Sequence, residues 1–424
     1  MKLLRDVYII GCGMIRFGRS EGGLLDIIEE ASLAAIADSG IEPKEIQSVV
    51  VANMGAGILN HMTGLGSAVV DRLSLYPATA EVVENGPASG ATAVRSAAAA
   101  IGSGLADVAL VVGAEKMRDV TGWESTDFVA TLSQPQVEYI YGVTLPALAG
   151  MFARHYMDKY GITPRHQAMV AIKNHENATK NPYAHIRQTV TMEGILDRPE
   201  AVVNNPPVAE PLRMFDCCPV SDGAAALVLV SAEAARRLGK TGRAVRIAGI
   251  GQATDTHAVH ERKDPTDLKA VELASRQAFA MAGIKPSDVD VAELHDAFTI
   301  LEIAESEHVG FFKKGTGHLA LEKGETSLTG RIPINPSGGL KAKGHPVGAT
   351  GVAQVCELVW QLRGEAGERQ VKNARTGFSC NFGGFGNNVV CLVLSKAGAK
   401  PEARPARPAA SKGKTSKTKP AKGK

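Results

Sequence analysis

Two glycine-rich loops, each running into a helix of small residues, constrain the fold of this chain more than any other feature. The first is "VENGPASGAT" at residues 83–92, and the second is "NPSGGLKAKGHPVGATG" at residues 335–351. Helices rich in Gly, Ala and Ser can approach neighbouring backbone closely, because no bulky side chain intervenes. The recurrence of loop and helix indicates a weak internal duplication, visible in the order of elements more than in the residues.

Apolar runs and amphipathic stretches alternate around both loops. Runs such as "DVYIIGCGM" and "IQSVVVANM" predict buried strands, whereas an apolar stripe in residues 24–39 predicts a helix. Alternating strands and helices predict an α/β fold whose parallel sheet is covered on both faces. A chain of 424 residues is long enough for two such halves.

The change of pattern along the chain predicts three regions. Residues 1–235 form an N-terminal half, and residues 236–398 form a C-terminal half. Within the first half, residues 118–215 carry scattered Tyr, His, Asn and Pro, which predicts an inserted helical and loop subdomain that covers the substrate. Residues 399–424 are predicted to be disordered, because this basic tail has nine Lys or Arg, one Glu and no apolar face.

Several classes of protein are disfavoured by the sequence. No run of about 18 apolar residues occurs and the start lacks the apolar core of a signal peptide, so we expect a cytoplasmic protein. Six cysteines without a Cys-x-x-Cys pair predict reduced thiols rather than disulfides or a zinc site. No stretch fits a dinucleotide fingerprint, a phosphate-binding loop or a His-Glu-x-x-His motif, so we expect neither a cofactor nor a metal.

Two histidines lie where catalytic groups are commonly found. His345 sits among glycines just before a helix, where its ring can project into a cleft and exchange a proton near neutral pH. His295 follows the apolar strand in "VAELHDAF", at the carboxyl end of a strand, and could donate a hydrogen bond to a thioester or enolate oxygen. The alternatives are a loop histidine bonded to backbone and a polar cap on the strand.

The cysteines divide into one candidate and five structural residues. Cys380 precedes the glycine turn in "FSCNFGGFGNN" and could act as a nucleophile or proton-transfer group if a neighbouring imidazole lowers its pKa. On its own, a buried structural thiol is the simpler interpretation. We interpret the other five as structural, near a turn or in the core: Cys217, Cys218, Cys12, Cys356 and Cys391.

Taken in order, seven motifs resemble the thiolase superfamily, nearest the sterol-carrier-protein-type and archaeal acetyl-CoA acyltransferases. The resemblance covers residues 4–396 and rests on "VENGPASGATA", "VGAEKM", "KNHENATKNPYA", "CCPVSDGAAA", "ELHDAF", "NPSGGLKAKGHPVGATG" and "CNFGGFGNN". It implies a thiolase fold, in which two similar α/β halves, each with a mixed five-stranded sheet, form a five-layer α-β-α-β-α sandwich. It also implies a dimer acting on coenzyme A thioesters, with CoA as substrate and no cofactor.

The resemblance assigns roles to particular residues. His345 would activate the nucleophile or the incoming CoA thiol, His295 would hold the thioester oxygen, and Cys380 would exchange a proton with the acetyl carbon. Contact with the substrate or with CoA would fall to loop residues, namely Asn335, Ser337, Gly338 and Gly344.

The chain departs from the family at the nucleophile. Thiolases carry cysteine at the first position of a Cys-x-Ser/Thr-Gly pattern, and "PASG" places Pro87 there. Proline has no nucleophilic atom, although it suits the first turn of a helix. Ser89 is a nearby hydroxyl, but it aligns with a turn residue.

Four functions remain open. The leading one is CoA-dependent thiolysis of a 3-oxoacyl-CoA in the breakdown of fatty, aromatic or steroid acyl chains, with Cys380 as a relocated nucleophile. The second is retro-aldol cleavage of a 3-hydroxyacyl-CoA without an acyl-enzyme. The others are a non-catalytic subunit that binds CoA or supports a complex, and a small-molecule binding protein. We expect a homodimer without membrane or specific nucleic-acid binding. The resemblance also allows a zinc-ribbon and OB-fold partner subunit, which would give a heterotetramer.

Overall fold

The structure is a computed structural model that describes residues 3–397. Its strands are β1 (Val7–Met14), β2 (Ser48–Ala52), β3 (Thr79–Val83), β4 (Val108–Glu115), β5 (Pro207–Ala209), β6 (Leu212–Arg213), β7 (Gly223–Ser231), β8 (Val245–Thr254), β9 (Val291–Glu293), β10 (Thr376–Gly383) and β11 (Asn388–Lys396). Its helices are α1 (Leu24–Ser39), α2 (Ala56–Leu59), α3 (Leu65–Arg72), α4 (Ser89–Ser103), α5 (Gly122–Ala130), α6 (Leu145–Tyr160), α7 (Pro164–Thr179), α8 (Ala201–Asn204), α9 (Ala232–Arg237), α10 (Lys269–Ala282), α11 (Thr299–His308), α12 (Gly317–Glu322) and α13 (Val347–Arg363). The predicted disordered tail lies outside the described residues.

Nine strands are hydrogen-bonded in the order β3-β2-β4-β7-β1-β8-β11-β10-β9. The first five belong to the N-terminal half and the last four to the C-terminal half. The two groups join where β1 pairs with β8, through Tyr8 with Arg246 and Ile9 with Val245. Only β2 with its two neighbours and β9 with β10 pair in parallel, so the expectation of a parallel sheet is wrong. The sheet is mixed because β7 runs antiparallel to both β1 and β4.

The predicted five-layer sandwich is confirmed. Helix α1 packs outside the N-terminal strands and α10 outside the C-terminal strands, while α4 and α13 contact each other and strands of both groups. Small residues permit this packing. A Cβ at Gly351 of α13 would lie 2.2 Å from the backbone nitrogen of Ala91 in α4. The two glycine-rich loops therefore deliver their helices to the buried central layer.

The halves differ in strand number. Where the family resemblance implies five strands in each half, the C-terminal half has four named strands among residues 3–397. An isolated parallel bridge between Ala292 and Ile334 lies beside β9, at the place of a fifth strand. Two backbone hydrogen bonds form there, from Ala292 to the carbonyl of Pro333 and from Asn335 to the carbonyl of Ala292, without a continuous ladder.

Residues 118–215 contain helices α5 to α8 and the small hairpin of β5 and β6. Although this segment follows the N-terminal strands in sequence, α6 and α7 pack against the C-terminal half, in one apolar cluster with residues of α10 and α11. Among residues 3–397, no helix has the length and apolar character needed to cross a bilayer.

Candidate active site

An apolar cavity of about 160 Å³ is lined by both halves and by the inserted segment. The residues in its wall are Pro87, Met117, Ser125, Thr126, Val129, Leu132, Leu145, Pro146, Cys217, Cys218, Pro219, Val220, His295, Ala297, Phe298, Leu301, His345, Val347, Phe382, Gly384 and Phe385. The structure thus brings together three predicted site residues, Pro87, His295 and His345, and it places Cys380 and Ser89 outside this wall.

Pro87 stands in the cavity wall immediately before α4. Ala88 is the N-cap and the helix begins at Ser89, so the missing amide hydrogen of proline costs no intrahelical bond. The preceding Gly86 has φ of 52°, and a Cβ there would lie 2.7 Å from Cδ2 of Leu132. The position expected to carry a nucleophile is therefore held in a tight turn at the cavity and carries no reactive atom.

His345 enters the cavity from the loop before α13. Its Nδ1 lies 2.7 Å from Oγ1 of Thr350, and its backbone N–H donates to Oγ of Ser221 at 3.4 Å. Burial, assisted by the positive charge of Lys343, lowers the pKa of His345 to about 3. The ring is neutral at pH 7 because the apolar surroundings disfavour its charged form, and it can accept a proton.

His295 follows β9, and its ring contacts that of His345 in the cavity wall. The two ring centroids are 5.0 Å apart with an angle of 84° between the planes, and His295 also stacks on Phe382 at 5.3 Å. Its Nδ1 is 3.2 Å from Nδ2 of Asn381. Burial, followed by the charge of His345, lowers the pKa of His295 well below its usual value. A neutral imidazole in this position can donate one hydrogen bond to a substrate oxygen.

Cys380 is not among the residues that line the cavity. It is two residues before Phe382 on the same face of β10, which corresponds to about 6.6 Å along a strand. The side chain is fully buried beside Cys391 and the carboxyl of Glu305. Burial, with Cys391 as the second cause, raises the pKa of Cys380 well above its usual value. The expectation that an imidazole lowers this pKa is wrong, because burial dominates.

The side chain of Ser89 forms hydrogen bonds within the turn that precedes α4. Its hydroxyl donates to the carbonyl of Gly86 at 2.6 Å and accepts from the backbone N–H of Asn85 at 2.8 Å. The side chain is fully buried. These contacts account for the serine as a structural residue of the loop.

The resemblance assigned substrate contact to four loop residues, Asn335, Ser337, Gly338 and Gly344. The first two are fully buried with internal partners: Oδ1 of Asn335 accepts from the backbone N–H of Leu294, and the hydroxyl of Ser337 donates to Glu293 at 2.6 Å. The glycines have φ of 99° and 111°, a region that other residues rarely adopt. None of the four lines the cavity, and each is explained by its role in shaping the loop before His345.

Two thiols interpreted as structural belong to the cavity wall instead. Cys217 forms an antiparallel bridge with Phe298, and the backbone N–H of Cys218 donates to the carbonyl of Ala297 at 2.9 Å. Both thiols are half-buried, and burial raises the pKa of each to about 12. Sequence reasoning missed both cysteines because they reach the wall that contains His295 through contacts between distant segments. A local sequence pattern does not show such contacts.

The arrangement is a neutral base and a neutral hydrogen-bond donor in an apolar cavity, with proline where a covalent nucleophile is expected. Within residues 3–397, no group of three or more His, Cys, Asp or Glu side chains is placed to hold a metal ion. The chemistry available to the described side chains is proton transfer and stabilisation of a developing oxyanion.

Comparison with known families agrees with this architecture. Residues 7–233 match the family model "Thiolase, N-terminal domain", and residues 251–396 match "Thiolase C-terminal domain-like". The chain belongs to the thiolase family. The predicted family resemblance is thereby confirmed over nearly the whole described range.

Individual relatives of this thiolase support the predicted placement within the family. It is 43% identical to an acetyl-CoA acetyltransferase of Methanothermobacter thermautotrophicus, over 93% of this chain and 100% of the relative. It is 33% identical to sterol carrier protein 2 of Rattus norvegicus, over 92% of this chain and 72% of the relative. The solved structure described as "Ltp2-ChsH2(DUF35) aldolase" superposes with a TM-score of 0.78 at 27% identity, covering 93% of this chain and 98% of that one.

Proposed function

We propose that this thiolase-family protein cleaves the bond between C2 and C3 of a 3-hydroxyacyl-CoA by a retro-aldol reaction, releasing an aldehyde or ketone and a short acyl-CoA. The observation that carries the proposal is the cavity itself. It combines His345 and His295 with Pro87 at the place of the nucleophile. A retro-aldol reaction needs a base and an oxyanion donor, but it needs no covalent acceptor for the acyl group.

The steps balance with these two imidazoles alone. His345 removes the proton of the 3-hydroxyl group, and the electron pair of the C2–C3 bond moves to the thioester as C3 becomes a carbonyl. His295 donates a hydrogen bond to the enolate oxygen formed in this way. The protonated His345 then returns its proton to C2, which gives the acyl-CoA product and restores the neutral ring.

The sequence alone favours thiolysis over retro-aldol cleavage, whereas the position of Cys380 favours retro-aldol cleavage. Thiolysis through an acyl-enzyme requires a thiol that replaces the missing cysteine, and Cys380 is the thiol that the sequence suggests as this nucleophile. The thiol is fully buried, is not part of the cavity wall and has a raised pKa. The solved structure described as an aldolase supports the same order, since it shares the fold over nearly the whole chain.

CoA-dependent thiolysis of a 3-oxoacyl-CoA is the second candidate, and a specific observation favours it. Cys217 and Cys218 both line the cavity that contains His345, so either could replace a nucleophile at Pro87 after losing its proton to a base. Their pKa values of about 12 oppose this role. The similarity to a relative described as an acetyl-CoA acetyltransferase supports acyl transfer as the second candidate.

The substrate next to the histidines is proposed to be apolar and small. The cavity of about 160 Å³ is close to an engineered apolar cavity of about 150 Å³ that holds benzene. Aromatic side chains, among them Phe298 and Phe385, contribute to its wall. A phenyl or short alkyl substituent on C3 fits this space, whereas a steroid nucleus would have to extend outside it.

We also propose a homodimer and a second subunit. Strand β3 is at the edge of the nine-stranded sheet and four of its five residues are exposed, so a second copy could extend the sheet there. The name "Ltp2-ChsH2(DUF35) aldolase" joins two components, which supports testing this chain together with a DUF35-type partner.

The decisive assay uses defined CoA esters with and without added CoA. Retro-aldol activity should convert 3-hydroxy-3-phenylpropionyl-CoA to benzaldehyde and acetyl-CoA without free CoA. Thiolysis should convert 3-oxo-3-phenylpropionyl-CoA to benzoyl-CoA and acetyl-CoA only when CoA is added. Both reactions are followed by mass spectrometry, with 3-hydroxyhexanoyl-CoA and 3-oxohexanoyl-CoA as alkyl counterparts. If neither reaction occurs, alone or with the partner, a non-catalytic subunit is favoured.

A further inference from the structure

We infer that Asn381 and Thr350 are positioning residues that hold His295 and His345 in opposite tautomers, so that one ring presents a base and the other a donor. The inference rests on the proposed function for its catalytic meaning. The assignment rests on hydrogen bonds among buried side chains, and the tautomers can be measured without any substrate.

The tautomer of His345 depends on where the single proton of a hydroxyl lies. Oγ1 of Thr350 is 2.9 Å from the carbonyl oxygen of Pro346 and 2.7 Å from Nδ1 of His345. Donation to the carbonyl four residues earlier, a bond that helical threonines commonly form, leaves the hydroxyl to accept from Nδ1–H. With this arrangement a neutral His345 carries its proton on Nδ1, and Nε2 keeps a free lone pair.

The tautomer of His295 is fixed by an amide whose orientation is itself determined. Oδ1 of Asn381 accepts from the backbone N–H of Ala91 at 3.3 Å. The amide nitrogen therefore faces Nδ1 of His295, 3.2 Å away, and Nδ1 must accept from it. A neutral His295 consequently carries its proton on Nε2, the opposite arrangement from His345.

These assignments leave one nitrogen of each ring for the substrate. Among the described residues, Nε2 of His295 and Nε2 of His345 have no hydrogen-bond partner. The rings meet edge to face at 5.0 Å in the same cavity. One free nitrogen can accept a proton and the other can donate a hydrogen bond, which are the two roles that C–C cleavage needs.

Asn381 also ties the donor to the loop that carries Pro87. Ala91, which donates to Asn381, lies in the first turn of α4. A Cβ at Gly351 would come within 2.2 Å of Oδ1 of Asn381, so glycine at this point of α13 leaves space for the amide. The contact explains why two helices of the central layer approach each other beside the cavity.

The first test replaces the amide of Asn381 by a carboxylate. In Asn381→Asp, an acceptor replaces the donor opposite Nδ1 of His295, which favours protonation of Nδ1 and removes the proton from Nε2 of the neutral ring. The titratable groups near His295 are His345, whose ring it contacts, Glu305, which accepts from its backbone N–H, and the thiols of Cys217 and Cys218 in the same cavity wall. We expect a loss of about 100-fold in activity at pH 8, as for removal of an oxyanion donor, with partial recovery at lower pH, where both nitrogens are protonated.

The second test separates a positioning role from simple packing. Thr350→Val keeps the shape but removes the acceptor for Nδ1 of His345, whereas Thr350→Ser keeps the hydroxyl. We expect the valine variant to lose at least tenfold in kcat with little change in KM, and the serine variant to recover most of it. Equal activity of the two variants would overturn the role of Thr350.

A measurement independent of turnover decides the assignment. In protein labelled with ¹⁵N-histidine, protonated and unprotonated ring nitrogens have well-separated shifts, and signals are assigned by their loss in His295→Gln and His345→Gln. We expect protonated Nε2 on His295 and protonated Nδ1 on His345, with the His295 pattern reversed in Asn381→Asp. The same tautomer on both rings would overturn the inference. The expected tautomers in a protein that cleaves no CoA ester would sustain it and refute the proposed reaction instead.

Discussion

The rings of His295 and His345 meet edge to face, with centroids 5.0 Å apart, although the two residues come from different loops of the C-terminal half. Neither ring is charged at neutral pH, because burial lowers the pKa of both. Two neutral imidazoles can approach closely without repulsion, whereas two imidazolium ions could not. This pairing places two neutral imidazoles beside one small apolar space, and in the proposed reaction one is the base and the other the donor.

Exchange of the C2 protons of acetyl-CoA with deuterium tests both rings before the natural acyl chain is known. Since enolate formation needs a base and an oxyanion donor, His345→Ala should slow exchange by about 10²–10⁴-fold and His295→Ala by about 10²–10³-fold. Mass spectrometry of acetyl-CoA after incubation in D2O measures the rate. The matched control is His155→Ala, at an exposed position of α6, which should exchange at the rate of the unmodified protein. Unchanged exchange in His345→Ala would remove this ring from the mechanism.

The pH profile should reflect the unusual state of His345. Burial and then Lys343 lower its pKa to about 3, below the ordinary value near 6.5. A lowered pKa keeps the ring neutral as pH falls, so kcat/KM for the exchange should show no loss with a midpoint near 6.5. We expect the rate attributable to this base to persist from pH 8 to pH 5, as long as circular dichroism shows a folded protein. A midpoint between pH 6 and 7 that disappears in His345→Gln would contradict this prediction.

Alkylation should distinguish the two thiols in the cavity wall from the fully buried thiol of Cys380. Cys217 and Cys218 are half-buried, whereas Cys380 is fully buried. All three have raised pKa values, so the reaction should be slow at pH 7 and faster at pH 9. Peptide mapping after iodoacetamide treatment should find Cys217 or Cys218 modified before Cys380. Modification of Cys380 first would place its thiol in the cavity and restore it as a candidate nucleophile.

The sequence predicted the elements well where a local pattern determines them. The apolar stripe at residues 24–39 corresponds to α1 (Leu24–Ser39), and the small-residue stretch after Pro87 forms α4. The apolar stripe predicts the first helix, and the run of small residues predicts the second. The prediction of a parallel sheet was wrong because strand direction depends on which distant strands pair. Strand β7 pairs antiparallel with both of its neighbours.

The site was predictable only in part for the same reason. His295 and His345 could be found because each stands at the end of an element, next to residues that allow a close approach. Cys380 and Asn381 are neighbours on β10 whose side chains point to opposite faces of the strand, and only the packing of other elements against each face brings Asn381 to His295 and buries Cys380. Cys217 and Cys218 reach the wall through a bridge to Phe298, a contact that no spacing along the chain reveals.

Removing the hydroxyl of Ser89 should destabilise the fold without removing a catalytic group. The buried hydroxyl both accepts from Asn85 and donates to Gly86, so Ser89→Ala should lower the free energy of unfolding by about 1–3 kcal/mol. Ser103→Ala is the matched control, because this serine lies in the same helix, is exposed and donates to the carbonyl of Ala100. Urea unfolding followed by circular dichroism measures both. Loss of exchange activity in a folded Ser89→Ala protein would show that the serine does more than close the turn.

Restoring a thiol at the turn before α4 should restore covalent chemistry. In Pro87→Cys the new side chain would lie in the cavity wall with His345, just before a helix whose N-terminus favours a thiolate. Incubation with acetyl-CoA should therefore add one acetyl group to this residue, detectable by intact mass and peptide mapping, and CoA-dependent thiolysis of 3-oxohexanoyl-CoA should rise. Pro87→Ala, which opens the turn without adding sulfur, should gain neither property. If a folded Pro87→Cys protein is not acetylated, the missing nucleophile is not what separates this chain from acyl-transferring thiolases, and the cavity must bind its thioester in a different position.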